Sequence, residues 1–122
     1  MKTLAKTLLL LLVSIVLYGQ DLTGQWNGSL HVQGTQLRIV LHVSEINDQL
    51  EATVDSPDQN ATGIKVTSIS FNYPHVKFEI SNLGAVFEGL ITDNRMTGEW
   101  LQSGTGLFLA FVKSVAPAAR DK

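Results

Sequence analysis

Cysteine is absent from the 122-residue sequence, and this excludes several structures and chemistries at once. Without thiols the chain cannot form disulfides, thiolate metal sites or a lipid anchor on a cysteine at a cleavage site. An apolar core must therefore hold the fold by itself. A domain of about 100 residues can do so, because it buries well over half of the surface that its unfolded chain exposes.

Charge is also scarce and shows no strong bias. Charged residues make up 16% of the chain, and 9 Lys and Arg against 11 Asp and Glu leave a formal net charge of −2. No basic run occurs in the part of the chain that carries the predicted domain. Because nucleic-acid binding draws most of its affinity from Lys and Arg that neutralise phosphates, we expect no nucleic-acid partner.

The one long apolar run, residues 8–17, has only about half of the roughly 20 residues that a membrane-spanning helix needs. Lys2 and Lys6 precede it, and a turn-prone stretch with Gly19 and Gln20 follows it. This order predicts a signal peptide over residues 1–19, cleaved between Gly19 and Gln20. We therefore expect a periplasmic or secreted protein of the bacterial envelope without a stable membrane anchor after cleavage. An uncleaved anchor is the alternative.

Helical periodicity is missing from the rest of the chain, and period-two alternation takes its place. In the clearest example Leu37, Ile39 and Leu41 point to one face, while Arg38 and His42 point to the other. Turn-forming residues such as those at 47–48 and 93–94 separate these runs. The predicted strands span residues 25–32, 36–44, 49–55, 64–70, 75–81, 86–92, 95–101 and 106–113.

These patterns predict an all-β domain over residues 20–113, with a flexible tail at residues 114–122. Short connections favour antiparallel neighbours, since a parallel crossover needs a dozen or more residues. We expect a small up-and-down meander of about eight strands. A lipocalin-like barrel is preferred over a two-sheet sandwich because closure removes both sheet edges. Alternation also predicts that the last strand is buried on both of its faces.

Two similar segments each place a Trp shortly after a Gly. One is Thr23-Gly24-Gln25-Trp26 and the other is Thr97-Gly98-Glu99-Trp100, and Phe87 also lies near a glycine. Glycine in a strand marks a bend or a close approach of another backbone. Trp26, Phe87 and Trp100 then either fill the core of a tightly curved sheet or form the walls of a ligand cavity.

Catalytic machinery is not indicated by the sequence. The G-x-S-x-G nucleophile motif does not occur, and the three histidines are His31, His42 and His75. We expect His31 and His42 to be surface residues on paired strands, where they are cross-strand neighbours. Asp55 and Asp58 suit an ordinary turn around Pro57. We therefore expect that the protein is not an enzyme and that it has no metal site and no cofactor. The alternative is an active site, which would require His31 and His42 to converge with Asp55 or Asp58.

The stretch from Asp21 to about Val112 resembles a domain found at the N-terminus of some exported bacterial α/β-hydrolases of the serine aminopeptidase or esterase type. The residues that carry the resemblance are Thr23-Gly24-Gln25-Trp26-Asn27-Gly28, Val32-Gln33-Gly34-Thr35-Gln36-Leu37-Arg38-Ile39-Val40-Leu41-His42, Asp55-Ser56-Pro57-Asp58-Gln59 and Gly63-Ile64-x-Val66. The chain departs from the family pattern at Asn60, where the family has Gly. The resemblance implies an accessory domain and carries over no catalytic residue, because the sequence ends before a hydrolase domain.

Two functions are therefore expected. The first is an accessory or interaction module that docks on a hydrolase or a cell-envelope protein through an outer apolar patch. The residues considered for that patch are Val40, Val86, Leu101 and Phe108. The second is a small carrier of an apolar ligand, since the Gly24-x-Trp26 opening is also similar to the signature of lipocalins and related barrels. Its cavity is expected at Trp26, Phe87 and Trp100.

Overall fold

The computed structural model describes residues 21–114. The predicted signal peptide with its Gly19–Gln20 cleavage site, and residues 115–122 of the predicted tail, lie outside the described residues. Within 21–114 no helix has the length and apolarity needed to cross a membrane.

Nine β-strands make up the domain, and each lies antiparallel to its neighbours in one sheet. They are β1 (Gly24–Val32), β2 (Thr35–Ile46), β3 (Gln49–Ser56), β4 (Ala61–Lys65), β5 (Ser68–Asn72), β6 (His75–Ile80), β7 (Ala85–Thr92), β8 (Arg95–Gln102) and β9 (Thr105–Lys113). The strand order is β4-β3-β2-β1-β9-β8-β7-β6-β5, so the first and last strands pair in the middle of the sheet. The sheet curls into a half-barrel, which confirms the predicted all-β antiparallel meander.

The predicted single strand over residues 64–70 is two strands, and this raises the count from about eight to nine. The backbone N–H of Val66 donates to Ala52 O at 3.0 Å, on β3. The next N–H, that of Thr67, donates to Glu79 O at 2.7 Å, on β6. The chain therefore changes hydrogen-bonding partner between β4 and β5. Side-chain alternation shifts by one residue at this point, because the inward-facing positions change from Ile64 and Val66 to Ile69 and Phe71 across the exposed Thr67 and Ser68. That break is present in the apolar pattern of the sequence, but the pattern does not say which strands are the new partners.

Side-chain alternation sorts the two faces of the sheet as predicted along most strands. Ile39, Leu41 and Val43 of β2 are buried on the concave face. The exception is β9, where Leu109 and Phe111 are buried but Phe108 is 71% exposed. The prediction that this strand is buried on both faces is wrong, because no second layer covers the convex face of a single curled sheet.

A cluster of four aromatic side chains lies in the core. Phe78 and Phe87 stack at 5.2 Å between ring centroids, and Phe87 meets Phe111 edge-on at 5.4 Å. Trp100 and Phe111 each lie 6.4 Å from Phe78. Aromatic pairs in such offset and edge-to-face arrangements stabilise a core beyond the area that they bury. These residues come from β6, β7, β8 and β9, so the cluster joins four adjacent strands.

Gly89 and Gly98 face each other across β7 and β8. A Cβ at Gly98 would overlap the backbone carbonyl of Glu88, and a Cβ at Gly89 would overlap that of Thr97. The two glycines therefore let the strands approach closely, as their position inside strands suggests.

Gly98→Ala should destabilise the domain by about 1–3 kcal/mol, since the added methyl meets backbone that cannot move aside without disturbing the β7–β8 pairing. Urea unfolding followed by circular dichroism measures the change. Gly106→Ala is the matched control, because its Cβ meets mainly the mobile Glu99 carboxylate and the Leu101 side chain. Equal losses of stability in the two variants would contradict the close-approach explanation.

Candidate functional site

The half-barrel opens at one end because β1 and β9 pair over only part of their length. Their register runs from Trp26–Lys113 to Gly28–Phe111 and ends there. Beyond Gly28, β1 continues to Val32 alongside β2 alone. The separation of these two strands leaves access to the concave face near the β1–β2 and β8–β9 turns.

A cavity of about 640 Å³ lies at this open end. Leu30, Ile39, Val54 and Trp100, all buried core residues, contribute to its apolar wall. The remaining lining residues surround this wall: His31, Val32, Gln33, Leu37, Ser56, Gln59, Ala61, Ile64, Leu83, Gln102, Ser103, Thr105 and Leu107. Cavities that bind small ligands have volumes of about 300–1,000 Å³ and combine apolar walls with a few polar groups.

Three polar side chains of the cavity, those of Ser56, Gln59 and Gln102, are held by hydrogen bonds. Ser56, which is buried, donates through Oγ to Gln59 Oε1 at 2.6 Å. On the opposite side, Trp100 Nε1 donates to Gln102 Oε1 at 2.9 Å, and Gln102 Nε2 donates to Leu83 O at 3.0 Å. These contacts fix two amide side chains, Gln59 and Gln102, before any ligand arrives.

The connection between β3 and β4, which carries Gln59 in a 3₁₀ turn (Pro57–Gln59), is anchored to β2 by an ion pair. Asp58 accepts hydrogen bonds from the Arg38 guanidinium and from the Arg38 backbone N–H, both at 2.8 Å. These bonds to the charged carboxylate lower the pKa of Asp58 to about 2. The cavity wall therefore includes a turn whose position depends on an ionised side chain.

Asp55 secures the other end of the same connection. Its Oδ1 accepts the Gly63 N–H at 2.7 Å, and its Oδ2 lies 2.8 Å from His42 Nε2. The hydrogen bond from Gly63, followed by that from His42, lowers the pKa of the Asp55 carboxyl. Asp55 and Asp58 thus act as turn anchors, each with its own partner.

The three aromatic residues predicted to line a ligand cavity occupy different places. Trp100, on β8, is one of the residues that line the cavity. Trp26 is fully buried, donates its indole N–H to Leu22 O at 2.9 Å and has Lys113 Nζ 5.5 Å from its ring centroid. Phe87 lies in the aromatic cluster. Trp26 and Phe87 are not among the lining residues of the cavity.

Sequence reasoning missed Ser56, Gln59 and Gln102 as candidate site residues. Ser56 and Gln59 belong to the Asp55–Gln59 stretch that carries the hydrolase-domain resemblance, but their chemistry suited an ordinary turn. Gln102 precedes the Ser103–Gly104 turn, and nothing in the sequence around it indicated a binding role. Only the curl of the sheet brings the β3–β4 connection and the end of β8 to one cavity.

The histidines do not form the predicted cross-strand pair. His31 lies opposite Gln36, whereas His42 lies opposite Gln25 and Thr53. The two positions are far apart along the β1–β2 register, so that prediction is wrong. Of the groups whose convergence would indicate an active site, the structure joins His42 with Asp55 alone. Among residues 21–114 no cluster of three or more His, Cys, Asp or Glu side chains could hold a metal ion.

Three of the four residues considered for an outer apolar patch lie in one row across the convex face. Val86 of β7 is directly opposite Leu101 of β8. Phe108 of β9 is diagonal to Leu101, which itself pairs with Gly106. We call Val86, Leu101 and Phe108 the outer apolar row. Val40 lies apart from it on β2, opposite Asn27.

Comparison of the chain with protein families, curated proteins and solved structures finds no match.

The Arg38–Asp58 ion pair should hold the β3–β4 connection above about pH 4 and release it as the pH falls toward 2. Asp58 has an ordinary pKa near 3.8 that folding lowers to about 2, so its stabilising effect requires the ionised carboxylate. NMR titration of the side-chain carboxyl carbon of Asp58 should show the low value directly. In Arg38→Gln the pKa should rise toward its ordinary value, and an unchanged titration would contradict the role of the ion pair.

Proposed function

We propose that this domain is a non-catalytic binding domain, and that its ligand is a small, largely apolar molecule held in the cavity at the open end of the half-barrel. The observation that supports this most is the cavity itself, which has about 640 Å³ of space above buried apolar side chains. Burial of apolar surface there would drive binding, since each Å² removed from water contributes about 25 cal/mol.

The structure around the cavity favours a binding role. Gln59 and Gln102 are held in place by Ser56, Trp100 and Leu83, so little side-chain freedom remains to be lost when a ligand binds. Preorganised sites of this kind lose less affinity to the ordering of side chains. The anchored β3–β4 connection adds a wall that is already in position.

Tryptophan fluorescence of two single-tryptophan variants tests the proposal with octan-1-ol as an uncharged probe, which does not absorb tryptophan emission and therefore alters it only near its own binding site. In Trp26→Phe the remaining Trp100 lines the cavity, so probe binding should change its emission in a saturable, stoichiometric way. In Trp100→Phe the remaining Trp26 lies outside the lining, so its emission should change little. Equal responses of the two tryptophans would indicate that the probe binds at a site other than the cavity. Circular dichroism checks that both variants are folded.

A pair of neighbouring substitutions tests where the probe binds. Ala61→Phe adds a large side chain to the cavity wall and should weaken probe binding by about tenfold or more, because the ring takes up ligand space. Thr62→Phe is the matched control, since Thr62 is exposed and is not among the lining residues. Unchanged affinity in folded Ala61→Phe would contradict the proposed site.

The outer apolar row supports a second function, that of a docking module. Phe108 is 71% exposed and Leu101 is 38% exposed on the convex face, where neither packs into the core. Exposed aromatic side chains often become anchors of protein interfaces. The partner we propose is another folded protein with an apolar face, such as a hydrolase or a cell-envelope protein, in keeping with the resemblance to a hydrolase-associated domain.

A photo-crosslinking amino acid placed at position 108 tests the docking function in the native cell. We expect one dominant crosslinked protein, because a genuine interface recurs at the same position. The same crosslinker at Lys77, half-exposed on β6, should not trap that protein. Matching products from both positions would show that the contacts of Phe108 are non-specific.

A further inference from the structure

The polar side chains that line the cavity differ in how many of their hydrogen-bonding groups already have protein partners. Gln102 is engaged at both ends of its amide, since Oε1 accepts from Trp100 and Nε2 donates to Leu83 O. Ser56 Oγ donates its proton to Gln59 Oε1. Both Gln102 and Ser56 therefore have protein partners, and their main role is to shape the cavity.

Gln59 is different because only one end of its amide is engaged. The bond from Ser56 assigns Oε1 to the protein and leaves the amide nitrogen with its two N–H donors. Among residues 21–114, Gln59 Nε2 has no protein acceptor within hydrogen-bonding distance. Gln59, an exposed residue of the cavity lining, thus offers a neutral hydrogen-bond donor whose oxygen end is held by Ser56.

Formal charge is nearly absent from the cavity lining. Within the described part of the chain, no Lys, Arg, Asp or Glu side chain lines it, and its one titratable residue is the exposed His31. The nearby charges of Arg38 and Asp58 are engaged with each other. A carboxylate or ammonium head group would therefore lose its hydration in the cavity without gaining a partner of opposite charge, which is costly.

We infer that the cavity selects an uncharged ligand that presents a carbonyl oxygen to Gln59, as an ester, amide or lactone does, and that carries an aliphatic body. The aliphatic part packs against Leu30, Ile39 and Val54, and the carbonyl oxygen accepts from Gln59 Nε2. This inference rests on the proposed ligand-binding function, because it names the chemical class for that same cavity.

Displacement of the uncharged probe N-phenyl-1-naphthylamine at pH 8 by three eight-carbon compounds tests the inference. Methyl octanoate offers a neutral carbonyl, octanoate offers a charged carboxylate, and octan-1-ol offers a hydroxyl group on the same chain. Methyl octanoate should displace the probe at a concentration at least about tenfold lower than octanoate, because the cavity has no cation for the carboxylate.

The variant Gln59→Glu isolates the role of the amide nitrogen. It keeps the side-chain length but replaces the N–H donors with a carboxylate oxygen, so methyl octanoate should bind roughly three- to tenfold more weakly. Octan-1-ol, which can donate to that carboxylate, should hold its affinity. Gln36→Glu is the charge-matched control, since Gln36 lies on β2 outside the lining and bonds Ser29, and the ester should bind it as it binds the native protein.

The outcomes distinguish failure of this inference from failure of the proposed ligand-binding function. Absence of saturable probe binding to the native domain would overturn both. Probe binding with octanoate as strong as methyl octanoate, or with ester affinity unchanged in Gln59→Glu, would overturn the ligand class and leave the cavity as a binding site. A preference for the ester over octanoate in the native domain, together with weaker ester binding in Gln59→Glu, would support both.

Discussion

Two consecutive backbone amides hold the curled sheet together, since Val66 donates to Ala52 on β3 and Thr67 donates to Glu79 on β6. Through these bonds β4 and β5 bring the two edges of the nine-stranded meander toward each other. The concave face then becomes a core without a second sheet. The aromatic cluster around Phe78 and Phe87 fills that core, and the close approach at Gly89 and Gly98 allows the strands to curve around it. Without the curl, those apolar side chains would have no opposing surface on which to pack.

The same curvature accounts for the cavity. Strands β1 and β9 pair only between Trp26 and Gly28 on one side and Phe111 and Lys113 on the other, so the sheet is tight at one end and open at the other. Trp26, with Leu22 and Lys113 around it, occupies the tight end. At the open end Leu30, Ile39, Val54 and Trp100 line a cavity, together with the hydrogen-bonded Gln59 and Gln102. One end of the half-barrel is therefore packed as a core, and the other contains a cavity.

The convex face and the cavity offer different kinds of binding. The outer apolar row lies on the convex face with Leu101 and Phe108 exposed, which suits a protein surface, whereas the cavity is concave and neutral, which suits a small molecule. Nothing prevents one domain from using both, since the row lies on the opposite face of β7, β8 and β9 from the core side chains. The proposed ligand-binding and docking functions therefore use different surfaces of the domain and do not exclude each other.

Local sequence determined the strands, their antiparallel order and the identity of most core residues. Alternation and turn chemistry act over a few residues, so Leu41 or Phe78 could be assigned to the core before any contact was known. The change of partner at Val66 and Thr67, the exposure of Phe108 and the separation of His31 from His42 depend on register and curvature, which involve residues far apart in the chain. The site was less predictable still: Trp100 stood out by its size, but Ser56, Gln59 and Gln102 became neighbours of one cavity only when the sheet curled. Tertiary structure decided the site because a half-barrel forms its cavity from strand ends and connections, and these meet in space rather than in sequence.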